Sequence, residues 1–124
     1  MGRWYTRPMM FVTDVDAAAA FYVDRLGFAE AWMFRDDAGR KFVSQVDRDD
    51  SEIILSGQWP DKVGKGMLFI ELTAPDWQAL PAALEARDVA FRWGWWGYRT
   101  LIVADPDGNE LYFPDPEDPG GGPA

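Results

Sequence analysis

VTDVDAAAAFYVDRLGF, residues Val12 to Phe28, holds the end of one strand, a complete helix and the start of the next strand. TRPMMFV leads into it as a strand, with Pro8 near the start, where a missing amide does least harm. Asp14 or Asp16 can cap the helix that runs through AAAAFYVDRL, and Phe21 and Leu26 suit its inward face. Gly27 supplies the stop. FAEAWMFRDD then begins a strand, DDAGRK turns into KFVSQVD, and SEIILSG follows as a further short strand.

The same order returns. GMLFIELTAP reads as a strand and DWQALPAALEARD as a helix, with Leu80 and Leu84 at i, i+4 and Pro81 awkward inside it. VAFRWGWWGY, RTLIVAD and NELYFPD are strands, and DPDGN is a turn in which Gly108 and Asn109 suit positive φ. Each half is therefore strand, helix and three strands. The fold class expected is α+β: two βαβββ repeats, about residues 5–57 and 66–113, forming a curved mixed sheet with an open cleft, completed by dimerisation. They make one domain over residues 1–113. Residues 114–124, Pro/Gly-rich and acidic, are expected as a flexible tail.

Composition narrows the chemistry. The 124 residues contain neither cysteine nor histidine, which removes thiolate and imidazole ligands, the Cys nucleophile and the commonest general base. Twenty-one acidic against twelve basic residues give a formal charge of −9, a field that repels nucleic acid and anionic lipid and favours a cationic partner. No apolar run is long enough to span a bilayer, and MGRWYTRP lacks a secretory core, so a cytoplasmic location is expected.

Val12 to Phe28 resembles the opening signature of the vicinal oxygen chelate superfamily, and DPDGNELYF (Asp105 to Phe113) its closing hairpin. WGYR (Trp96 to Arg99) and Pro8 look most like the bleomycin-resistance branch. The resemblance implies a homodimer that sequesters a planar or cationic drug between subunits without altering it. Enzymes of the superfamily hold a divalent metal on inward strand positions. Carried onto this chain, those positions fall on Arg7, Phe69 and Tyr112, which do not make a site for a hard cation. Glu110, beside Tyr112, together with Glu52 and Glu71, keeps a carboxylate site open as the alternative, a metal-dependent glyoxalase- or dioxygenase-like enzyme.

Stacking a planar ring needs flat side chains, and a cationic arm needs carboxylates. The candidates are Trp32, Phe42, Glu52, Trp93, Trp96, Tyr98, Glu110 and Tyr112; no catalytic residue, metal ligand or cofactor is assigned. Alternation puts Arg92, Gly94, Trp96 and Tyr98 on one face and Trp93 and Trp95 on the other, so both sets cannot line one cleft. Core packing competes with ligand contact for Trp32, Phe42 and Trp96, and Glu52 could instead pair with Arg99. Arg99 is expected to tie down the Trp-rich segment through bidentate bonds. A metal-free catalyst using Tyr98, Tyr112 or Glu110, or a dimer in which the tryptophans are all interface, would fit the same residues.

Overall fold

The computed structural model describes residues 2–95 and 97–120. Eight strands and two helices follow the expected order: β1 Met9–Phe11, α1 Val15–Ala20, β2 Ala29–Arg35, β3 Lys41–Arg48, β4 Ser51–Ser56, β5 Met67–Phe69, α2 Ala74–Ala86, β6 Arg92–Trp95, β7 Arg99–Ala104 and β8 Glu110–Pro114. Each repeat makes its own four-stranded mixed sheet, in the orders β1-β4-β3-β2 and β5-β8-β7-β6. The first strand of each repeat pairs in parallel with the last, and the remaining pairs are antiparallel.

Local chemistry explains the boundaries. The carboxylate of Asp14 accepts from the Ala17 amide at 3.1 Å, satisfying one of the orphan donors that start a helix. The helix widens into a π turn over Phe21–Arg25 and stops at Gly27, whose φ of +77° is cheap only for glycine. Gly108 likewise takes a positive φ, but Asn109 does not. Asn109 is fully buried instead. Its amide donates to the Phe11 carbonyl and to Asp105, both at 3.0 Å, while its oxygen accepts from the Gly66 amide at 2.8 Å.

Both helix-covered sheet faces contribute to one core, in which Met10, Ile53 and Leu55 of the first repeat join Leu101, Val103 and Leu111 of the second. Polar latches cross between the repeats. The Tyr22 hydroxyl donates to Asp105 at 3.2 Å, and Arg25 and Arg87 donate to backbone carbonyls of the opposite repeat at 3.0–3.1 Å. Asp105 also accepts from the amides of Asp107 and Asn109, which shapes the turn before β8. Burial and the neighbouring carboxylate of Asp105 push the Tyr22 phenol far above its ordinary pKa, so it stays a neutral donor. No helix among the described residues is long and apolar enough to cross a membrane. Past β8 the acidic segment stays bonded to the body: Asp118 accepts from the Arg99 amide at 2.8 Å, and Glu117 from Gln78 at 3.3 Å.

Candidate ligand-binding faces

Because the helices cover one side of each sheet, the other side is left without a helical layer. Strand register identifies what stands there. In the first sheet Met9, Ile54, Gln45 and Trp32 form a row across all four strands, and Phe11, Ser56, Val43 and Phe34 form the next. Glu52 and Asp47 oppose each other in the row beyond Gln45. In the second sheet the row containing Phe69, Tyr112, Ile102 and Arg92 is the counterpart of the Met9-to-Trp32 row, with Met67 and Glu110 beside it.

Gln45 organises the first face. Its side-chain oxygen accepts from Arg7 at 2.7 Å and from the Trp32 indole at 2.9 Å. Its nitrogen donates to Asp47 at 2.9 Å and to Glu52 at 3.0 Å. Two donors on one side and two acceptors on the other fix the amide's orientation, and its bonding capacity is used in full. Tyr5 donates to Glu52 from the segment before β1. One buried amide therefore holds an aromatic ring, an arginine and two carboxylates in place, while the Trp32 side chain remains 43% exposed.

The second face is built on Glu110. Arg92 donates to one carboxylate oxygen at 2.6 Å and Tyr112 to the other at 2.9 Å. The Arg92 bond chiefly, with the Tyr112 bond added, holds the Glu110 carboxyl below its ordinary pKa, so it is charged at neutral pH. Burial and the Glu110 bond raise the Tyr112 phenol in turn. The rings of Phe69 and Tyr112 meet edge-to-face, centroids 5.5 Å apart, beside a shallow hollow of about 140 Å³. At Gly94 a Cβ would stand 2.5 Å from the tip of the Ile102 side chain, which would have to turn aside.

The expected site residues divide. Trp32 and Glu52 stand on the open face of the first sheet, and Glu110 and Tyr112 on that of the second. Trp93 does not join them: its register with Leu101 turns it to the α2 side, where it meets Trp77 at 5.8 Å and Phe91 at 6.0 Å. Phe42 falls at the register shift between β2 and β3, where Phe34 pairs with Val43 and Arg35 with Lys41, so it has no partner on β2 and alternation does not set its side. Tyr98 is exposed in the turn between β6 and β7. Trp96 lies outside the described residues. Glu52 bonds Gln45 and Tyr5 rather than Arg99. The Arg99 guanidinium stacks instead, 4.4 Å from the Trp93 ring centre, as a cation–π contact.

A larger hollow lies elsewhere. A groove of about 580 Å³ runs between the repeats beside α2, and none of its lining residues belongs to either open face. Three arginines line it, Arg25, Arg48 and Arg87, but each donates to backbone carbonyls that close helix and turn ends. The convergent polar and aromatic groups are on the open faces.

Whether a metal fits can be read from the donors. Arg7, Phe69 and Tyr112 occupy the positions where ligands would be carried over, and Arg7 is a cation bonded to Gln45. Among the described residues no three His, Cys, Asp or Glu side chains converge. This donor set does not suit a divalent ion.

The glyoxalase/bleomycin resistance protein/dioxygenase superfamily model matches residues 4–113. The chain belongs to that superfamily. The domain is similar to the bleomycin-binding protein of Streptomyces verticillus, solved with copper(II)-bleomycin, at 25% identity and a TM-score of 0.73 over 94% of this chain and 100% of that one. A glyoxalase/bleomycin resistance protein from Streptomyces sp. CB03234 is 26% identical, with a TM-score of 0.63 over 88% of this chain and 99% of that one. Lactoylglutathione lyase from Agrobacterium tumefaciens shares the fold, at 18% identity and a TM-score of 0.67 over 91% of this chain and 93% of that one. No curated protein sequence matches the chain.

Proposed function

We propose that this superfamily member is a non-catalytic capture protein for a small antibiotic-like molecule with a planar core and a cationic group. It works as a cytoplasmic homodimer and lowers free ligand by stoichiometric binding. The observation that carries the reading is the Trp32–Gln45–Glu52 constellation, an exposed indole and a carboxylate locked side by side on a helix-free sheet face. Preorganised rings and charges bind without an ordering cost at the moment of capture.

Other features support it. The donor set at the superfamily's metal positions does not fit a metal, and the similar Streptomyces verticillus protein binds bleomycin. Both sheets turn their helix-covered faces to the common core, so their open faces look away from it. A second copy, laying one face against the opposite repeat, would close a cleft and cover exposed Phe34, Met67 and Phe69. The aromatic wall is then Trp32 and Phe34 on one side and Phe69 and Tyr112 on the other, with Trp93 supporting the sheet from behind.

Calorimetry of the metal-assayed protein with metal-free bleomycin and copper(II)-bleomycin, paired with sedimentation equilibrium, tests this reading. One ligand per subunit on a dimer is the expected result. A monomer that binds neither form overturns it.

A further inference from the structure

The open face of the first sheet has a second aromatic group at the end away from Glu52. Phe11 of β1 and Trp59 of the loop after β4 stand with centroids 5.5 Å apart and planes tilted by 52°. The short 3-10 turn Pro60–Lys62 follows, fixed by the Lys62 amide bonded to the Trp59 carbonyl at 3.0 Å and the Gly64 amide bonded to the Phe11 carbonyl at 3.3 Å. That turn folds the Lys62 side chain back over both rings. Its ammonium lies 4.9 Å from the Trp59 ring centre and 5.6 Å from that of Phe11. Among the described residues no carboxylate lies within ion-pair distance of Lys62. Two π faces are what this cation has been given.

We propose that Phe11 and Trp59 form a seat for an alkylammonium group, filled in the free protein by the chain's own Lys62, and that the cationic arm of a ligand displaces Lys62 on binding. The inference rests on the capture reading and adds the class of the arm and the place it goes. A primary ammonium on a long, solvated stem leaves a half-exposed aromatic pair at little cost. A quaternary ammonium, less well hydrated, is held there better, which makes the exchange favourable. Phe11 and Trp32 belong to neighbouring rows at opposite edges of the sheet. Three strand spacings separate those edges, about 14 Å, so a ligand stacked on Trp32 needs an arm of roughly that reach.

The test follows the indole N–H signal of Trp59 in a nitrogen-15 correlation spectrum, assigned with Trp59→Phe. Tetramethylammonium chloride is exchanged for sodium chloride at constant ionic strength, in the native protein and in Lys62→Met. The expected result is a saturable shift in both, with the midpoint about two- to fivefold lower in Lys62→Met, the factor an exposed cation–π competitor imposes. Equal midpoints, or a Trp59 signal unmoved by tetramethylammonium, overturn the proposal. Because tetramethylammonium has no planar ring, this outcome is independent of whether bleomycin or a planar drug is captured at Trp32.

Discussion

The indole N–H of Trp32 and the arginine of position 7 converge on one oxygen of Gln45, at 2.9 and 2.7 Å, so the orientation of the exposed ring is set by a buried amide on the neighbouring strand. The same amide donates to Glu52 from its other end. Stacking surface and carboxylate are therefore mechanically one unit. Replacing Gln45 by Leu keeps the volume and strands partners on both sides. A loss of about 1–3 kcal/mol is expected, the cost of leaving half-buried polar groups unpaired. The urea midpoint measures it, and an unchanged midpoint would mean the hub bonds contribute nothing net.

Trp32→Ala and Trp93→Ala should separate binding from folding. Trp32 is exposed on the open face, so its loss should weaken a planar ligand about two- to twelvefold, the equivalent of ~0.5–1.5 kcal/mol of stacking, with the melting temperature nearly unchanged. Trp93 packs on Trp77 and carries Arg99. Its truncation should cost on the order of 1–3 kcal/mol of stability, below the range for a fully buried ring because it is nearly half exposed. Parallel ligand titrations and thermal melts check both. The reverse pattern would place the ligand on the other side of the sheet.

Acid should loosen the second face through Glu110. Glu110 has a folded pKa depressed by Arg92, so the stability it contributes is complete above its unfolded value of about 4.3 and is lost as pH falls through the lower folded value. Glu110→Gln should flatten the acid limb of the stability–pH curve below that point and lower the neutral region by the same modest amount, since the pair with Arg92 is partly exposed. Denaturant midpoints from pH 3 to 7, run on both proteins, provide the comparison.

Capture of a cationic drug should weaken as salt rises, because a protein of net charge −9 attracts cations over distances that are screened to ~8 Å at physiological ionic strength. The effect should be moderate. Arg7 offsets part of the Asp47 and Glu52 charge on the first face, and Arg92 pairs with Glu110 on the second. Titrations with a cationic and an uncharged planar probe at rising salt separate the electrostatic part, and equal slopes would contradict it.

Much of this was legible in the sequence because local chemistry set it. The Asp14 cap, the stop at Gly27 and the repeated strand–helix–strand order need only neighbouring residues. Alternation also separated Trp93 from Arg92 correctly, but it could not say which face the α2 helix covers, so the side on which Trp93 lies stayed open until α2 was in place. Gln45 gave almost no signal: a lone glutamine in KFVSQVD becomes informative only when Arg7, Trp32 and Glu52 arrive from elsewhere in the chain. Its one trace was a polar residue set between Ser44 and Val46 at a position that the fold buries. The cation seat was equally hidden, since Phe11, Trp59 and Lys62 are brought together by the loop rather than by a motif.

The central claim, metal-free capture at a Trp32-walled face, is tested most directly by intrinsic tryptophan fluorescence. Metal-assayed native protein and Trp32→Phe are titrated with bleomycin and a panel of planar cationic drugs. Saturable quenching at one ligand per subunit in metal-free native protein, much reduced in Trp32→Phe, is the expected result. A flat titration in protein that retains stoichiometric metal would contradict it and return the chain to the catalytic branch of its superfamily.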